Sequence, residues 1–139
     1  MHRSGGFTLL ETLVGLALAT TVAAMGGVRL TELLATSRLA TAARTLATTL
    51  RLARGRALAT GTAIEARFDA PGHTYALRDG SRTIEVHGLP PGVLFVGLPA
   101  RSRIVFGALG TADNSTITLA AGNRSRNVVV NQRGRVRFQ

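Results

Sequence analysis

From Phe7 to Val28 the chain reads FTLLETLVGLALATTVAAMGGV, and its only ionisable side chain is Glu11. A helix over those residues spans roughly 30 Å, the hydrocarbon thickness of a bilayer. His2 and Arg3 precede it. On the positive-inside rule that short basic stub stays cytoplasmic and the rest of the chain is delivered to the other side of the membrane in a single pass. The remaining residues, 29–139, are enough for one small domain. With 45% apolar residues the 139-residue chain supplies a core without staples, and it has no cysteine to make any.

Glu11 decides between readings of this segment. A cleavable secretory signal needs a charge-free apolar centre before a small-residue site such as Ala17-Leu18-Ala19, and Glu11 falls inside that centre. A plain anchor leaves the carboxylate unexplained, because a charge in lipid costs several kcal/mol unless it is paired. The carboxylate therefore calls for a cation.

The string Gly6-Phe7-Thr8-Leu9-Leu10-Glu11 resembles the prepilin processing motif of type IV pilins and type II secretion pseudopilins: a short basic leader ending in glycine, then phenylalanine, then glutamate four residues on. The resemblance implies that a prepilin peptidase cuts between Gly6 and Phe7 and methylates the new Phe7 amine. That amine is then a cation at the end of an apolar helix, and Glu11 is its counter-ion. In staggered helices the Glu11 of one subunit meets the amine of a neighbour, which neutralises two charges and fixes the register of assembly.

Beyond the apolar segment, residues 29–60 keep helical periodicity. Leu39, Ala43, Leu46, Leu50, Ala53 and Ala57 follow steps of four and three, a single apolar stripe flanked by Arg38, Arg44, Arg51 and Arg56. Those arginines read as the solvated flanks of an amphipathic helix or as a basic surface. From residue 62 the pattern changes to alternation between turn signals. Short strands are expected near residues 64–68, 73–78, 83–87, 93–96, 103–106, 116–120, 127–131 and 135–138.

The expected architecture is α+β: a long N-terminal helix, membrane-spanning in its first half, packed on an antiparallel β-sheet, the type IV pilin-like fold. The divisions are a leader over 1–6, an assembly helix over 7–28 and a soluble domain over 29–139, with its helix at 29–60 and its sheet at 62–138. The resemblance sharpens to the GspH/FimT family through Leu50-Arg51-Leu52-Ala53-Arg54-Gly55-Arg56-Ala57 at the helix end and Gly134-Arg135-Val136-Arg137 near the C-terminus.

Nothing in the sequence assembles an enzyme or calls for a cofactor. His2, His73 and His87 are scattered, there is no HExxH or phosphate loop, and Asp69, Asp79 and Asp113 sit at turn signals. The charge is more informative. The net charge is +10, and every basic residue other than histidine is arginine. From residue 101 onward Arg101, Arg103, Arg124, Arg126, Arg133, Arg135 and Arg137 face only Asp113, a balance that suits anionic partners.

A strand over 135–138 turns Val136 and Phe138 to the core and Arg135 and Arg137 outward, with Gly134 letting the backbone turn or come close beside them. Arg124 and Arg126 are expected in the turn between neighbouring strands. Resemblance to FimT-like minor pilins implies DNA binding by the GRxR residues for uptake in natural transformation, so Arg124, Arg126, Arg133, Gly134, Arg135 and Arg137 are the candidate DNA contacts. The mode is phosphate-dominated, with little sequence preference. Tyr75 and Phe138 are the only candidates for base stacking. Two alternatives stand beside this: a GspH-type structural pseudopilin of a type II secretion system whose arginines meet proteins, and a membrane-anchored basic domain unconnected with filaments.

Overall fold

The computed structural model describes residues 8–139, the side chains of 25–30 apart. Gly6 and Phe7 lie outside the described residues. The chain forms a 52-residue helix, α1 (Leu9–Thr60), followed by strands β1 (Ile64–Asp69), β2 (Thr74–Asp79), β3 (Arg82–Gly88) and β4 (Leu94–Gly97). A short 3-10 turn (Ala100–Ser102) leads into β5 (Arg103–Phe106), β6 (Ser115–Ala121), β7 (Arg124–Val130) and β8 (Val136–Phe138). Contacts divide the chain into two units, one ending at Leu34 and one running from Ala35 to Gln139.

In the first unit, Thr8 starts α1. Its hydroxyl accepts the Glu11 N–H at 3.3 Å, the N-cap half of a Thr-x-x-Glu capping box. Glu11 thus occupies the first helical turn, where a carboxylate also complements the helix dipole. Leu9, Leu10, Leu13, Leu16, Leu18 and Val22 are all more than half exposed. Among the described residues no helix is long and apolar enough to cross a membrane.

The second unit holds the core. Every member of the apolar stripe, Leu39, Ala43, Leu46, Leu50, Ala53 and Ala57, is buried. They meet alternate residues of the strands: Ile64, Ala66 and Phe68 from β1, Tyr75 and Leu77 from β2, Ile104 and Phe106 from β5. Ile117, Leu119, Val128, Val130 and Val136 complete the same cluster from β6, β7 and β8. At about 25 cal/mol per Å² of apolar surface, this burial is the main force holding helix to strands.

Where one sheet was expected there are two, each four-stranded and antiparallel, ordered β3-β2-β1-β5 and β4-β6-β7-β8. The physical reason is connectivity: β5 returns to pair with β1 while β4 leaves to pair with β6, so both sheets present a buried face to one helix. Tyr75 is buried beside Thr49 and stacks on His87 with centroids 5.2 Å apart. Burial pushes its phenol above the ordinary value, with Thr49 opposing. It is therefore core, closed to any base. Phe138 is corrected in the other direction: it is 43% exposed, because it ends β8, an edge strand with a neighbour, β7, on one flank only.

Candidate anion-binding site

The C-terminal arginines are held by one small loop. Between β7 and β8 the Asn131 N–H donates to the Arg135 carbonyl at 3.1 Å, and the Gly134 N–H donates to the Asn131 carbonyl at 2.8 Å. The Asn131 side-chain oxygen accepts two further backbone N–H groups, from Arg133 at 3.1 Å and Arg135 at 2.9 Å. Local side-chain-to-backbone bonding of this kind is the usual work of asparagine in tight turns. It fixes the backbone that projects Arg133, Arg135 and Arg137, all exposed.

Gly134 is required there twice over. Its φ is +68°, a conformation that L side chains rarely adopt. A Cβ at this position would also run into the Gly110 carbonyl and the Arg54 side chain. The loop therefore lies directly on the Gly107–Asn114 loop, an approach secured by the Ala112 N–H donating to the Gln132 carbonyl at 3.1 Å.

Two arginines from α1 join this end. Arg54 donates through Nε to the Gly110 carbonyl at 3.0 Å. Arg51 donates through Nη2 to the Val136 carbonyl at 3.1 Å, a group that the alternating ladder leaves on the open edge of β8. Spaced i and i+3, they share a helix face, one turn apart. Between them and β8 lies a groove of about 340 Å³, bounded by Arg51, Arg54, Leu58, Gly134, Arg135 and Arg137. A second recess of about 400 Å³ adjoins it on the far side of Arg135, bordered by Asn114, Asn131, Gln132 and Arg133.

The predicted six-residue patch is split. Arg133, Gly134, Arg135 and Arg137 gather at the loop end, whereas Arg124 and Arg126 belong to β7 itself, not to a turn. They sit at its opposite end, with Arg124 roughly 20 Å from the loop at a strand's rise per residue. They also share the side-chain parity of the buried Val128 and Val130, the opposite face from Arg137, which pairs with Val129. The sequence marks Arg51 as a helix flank and places both Arg51 and Arg54 in the helix-end pattern, with no sign of their contacts to the strands. The signal that joins them to β8 is long-range and is absent from local periodicity.

Ion pairing separates the two sheets as well. Among the described residues the ion pairs all lie on the β3-β2-β1-β5 side: Arg56 with Glu85 at 3.0 Å, Glu85 with His87 at 3.2 Å, and Glu65 with Arg67 and Arg103 at 3.9 and 3.6 Å. None involves Arg51, Arg54, Arg133, Arg135 or Arg137. A cluster of guanidinium groups that make no ion pair, two of them fixed by backbone contacts, is a ready receptor for phosphate or carboxylate groups.

Residues 42–134 match the profile of the type II transport protein GspH, and residues 1–27 match the prokaryotic N-terminal methylation motif. The chain belongs to the GspH family. Its fold is similar to that of the type IV minor pilin FimU of Pseudomonas aeruginosa, with a TM-score of 0.63 at 20% identity over 75% of this chain and 90% of that one. It is similar as well to the minor pseudopilin EpsH of the type 2 secretion system of Vibrio cholerae, with a TM-score of 0.61 at 14% identity over 73% and 96% of the two chains. No curated protein matches at the sequence level. This GspH-family chain thus shares its fold with a minor pilin and with a minor pseudopilin.

Proposed function

We propose that this GspH-family chain is a minor pilin that assembles through its N-terminal helix and binds DNA through the arginines at the β7–β8 end. In assembly, prepilin peptidase removes residues 1–6, the Phe7 amine pairs with Glu11 of a neighbour, and the apolar helix is stored in the inner membrane before it enters a filament with other pilins. The methylation-motif match over residues 1–27 and the exposed leucines of α1 support that half of the reading. Once in the filament, the domain carries its arginine loop outside the membrane, where DNA passes during uptake.

The observation that carries the DNA half is the cluster of Arg133, Arg135 and Arg137, which make no ion pair and are held on a backbone that glycine at 134 permits. Phosphate contacts of this kind favour any sequence about equally, and many subunits along a filament raise a weak single-site affinity. The competing reading, a secretion pseudopilin whose arginines meet a neighbouring protein, is favoured by the fold likeness to EpsH.

The test is a DNA titration by fluorescence anisotropy with the full chain in non-ionic detergent, comparing wild type with Arg135→Ala/Arg137→Ala. DNA capture predicts that the variant keeps its melting temperature and loses binding. Equal binding by both proteins would remove the loop from the function, and no wild-type binding at low salt would leave the arginines to protein partners.

A further inference from the structure

The groove between α1 and β8 has features that a flat phosphate-binding face does not need. It is recessed, its volume of about 340 Å³ lies at the small end of ligand pockets, and its lining is mixed. Arg51, Arg54, Arg135 and Arg137 bring charge to it, while Leu58, half exposed, and Val136 offer apolar surface. Gly55 completes the helix side. A Cβ built there would meet nothing within 4 Å, so the space above it is open groove.

The two helix arginines are also fixed in advance. A guanidinium has five N–H donors, and the backbone bonds to Val136 and Gly110 each use one, which leaves the others for a ligand. Side chains already held in place lose less freedom on binding. Arg51 and Arg54 thus line one wall with preset donors, and the exposed Arg135 and Arg137 line the other.

We infer that this groove takes an unpaired nucleotide, so that the site holds single-stranded DNA in preference to duplex; the inference rests on the DNA reading above. A duplex keeps its bases stacked inside a convex cylinder and reaches only the protruding arginines. A single strand can turn one nucleotide inward, with its phosphate on the guanidinium groups and its base against Leu58 and an arginine plane. Base stacking on guanidinium groups is an established mode for unpaired bases and needs no aromatic side chain. The groove therefore supplies what the buried Tyr75 cannot.

Gly55→Leu tests this without touching an arginine. It fills the open space above the helix, replaces a weak helix former with a strong one, and so leaves the fold intact or firmer. Affinities of the full chain in detergent are measured for a short oligothymidylate and for a duplex of equal length. Wild type should bind the oligothymidylate more tightly than the duplex. Gly55→Leu should weaken the single strand about tenfold, as expected when one base is shut out of the groove, while duplex affinity changes less than about twofold.

Arg51→Gln should move the single strand in the same direction, and it supplies the readout if Gly55→Leu does not fold. Unchanged oligothymidylate binding in either folded variant, alongside loss of all binding in Arg135→Ala/Arg137→Ala, would overturn the groove and leave the DNA reading standing. Equal losses for both DNA forms would overturn the strand preference. No binding of either form by wild type would overturn both proposals.

Discussion

The two halves of α1 are built from the same alphabet, leucine, alanine and threonine, yet they meet opposite surroundings. Leu9 is 78% exposed, whereas Leu46 is fully buried. In the second unit the leucines sit on one stripe with arginines on its flanks, which suits a single partner surface on one side, and the two sheets provide it. In the first unit the described apolar residues point all round the helix, a pattern that suits an apolar medium or several neighbouring helices at once. One helix thus carries the core of a domain on one half and an exposed apolar surface on the other.

The sharpest way to break that contrast is to make one substitution on each side of it. Leu46→Ala should lower unfolding free energy by about 2–5 kcal/mol, the range for emptying a packed site, as read by chemical denaturation of the full chain in detergent. Leu13→Ala should leave the same transition within about 0.5 kcal/mol, because Leu13 is already more than half exposed, and should act on filament incorporation instead. Equal costs at the two positions would show that Leu13 is as closely packed as Leu46.

Gly134→Ala comes next in size. The left-handed backbone and the contact with the Gly110 carbonyl together predict a loss of roughly 1–3 kcal/mol. It should also displace Arg135 enough to weaken DNA binding. A variant with wild-type stability would mean that the loop does not lie on its neighbour as described.

Glu11→Val sharpens the other side. It should leave the domain's melting temperature unchanged and permit membrane storage, yet impair assembly, since the Phe7 amine of a neighbour loses its counter-ion. Normal incorporation into filaments, scored by imaging or by shearing and immunoblot, would contradict the pairing.

The smallest effect concerns Tyr75. Its phenol titrates above the ordinary 10.0 in the folded protein because burial disfavours the phenolate. The unfolded chain therefore ionises first, so the stability Tyr75 contributes is whole below pH 10.0 and drains away as pH rises through the folded value. Tyr75→Phe should flatten that alkaline decline in a pH series of denaturation curves, and an undiminished decline would point to another group.

The sequence made local features legible and left non-local ones hidden, for physical reasons. The stripe from Leu39 to Ala57 is a statement about one helix face, and all six residues are buried as the spacing predicts. Strand positions followed from alternation and turn residues in the same way. The assignment of β4 and β5 to different sheets depends on pairing between distant segments, which no local pattern encodes. The same limit hid the attachment of Arg51 to Val136 and of Arg54 to Gly110, contacts that build half of the groove. It also let Arg124 and Arg126 read as neighbours of Arg135 when the length of β7 separates them. At residue 11, Thr8-Leu9-Leu10-Glu11 additionally spells a helix cap, a local signal overlaid by the stronger processing motif.

The claim that the arginine loop captures DNA through phosphate contacts is tested most directly by the salt dependence of binding. For the full chain and duplex DNA, three arginine contacts predict a slope of log K against log salt of about −2.7. Removing Arg135 and Arg137 should bring it to about −0.9, with the loss of affinity uniform across DNA sequences. A slope near zero in wild type, or one unchanged in the double variant, would contradict the account.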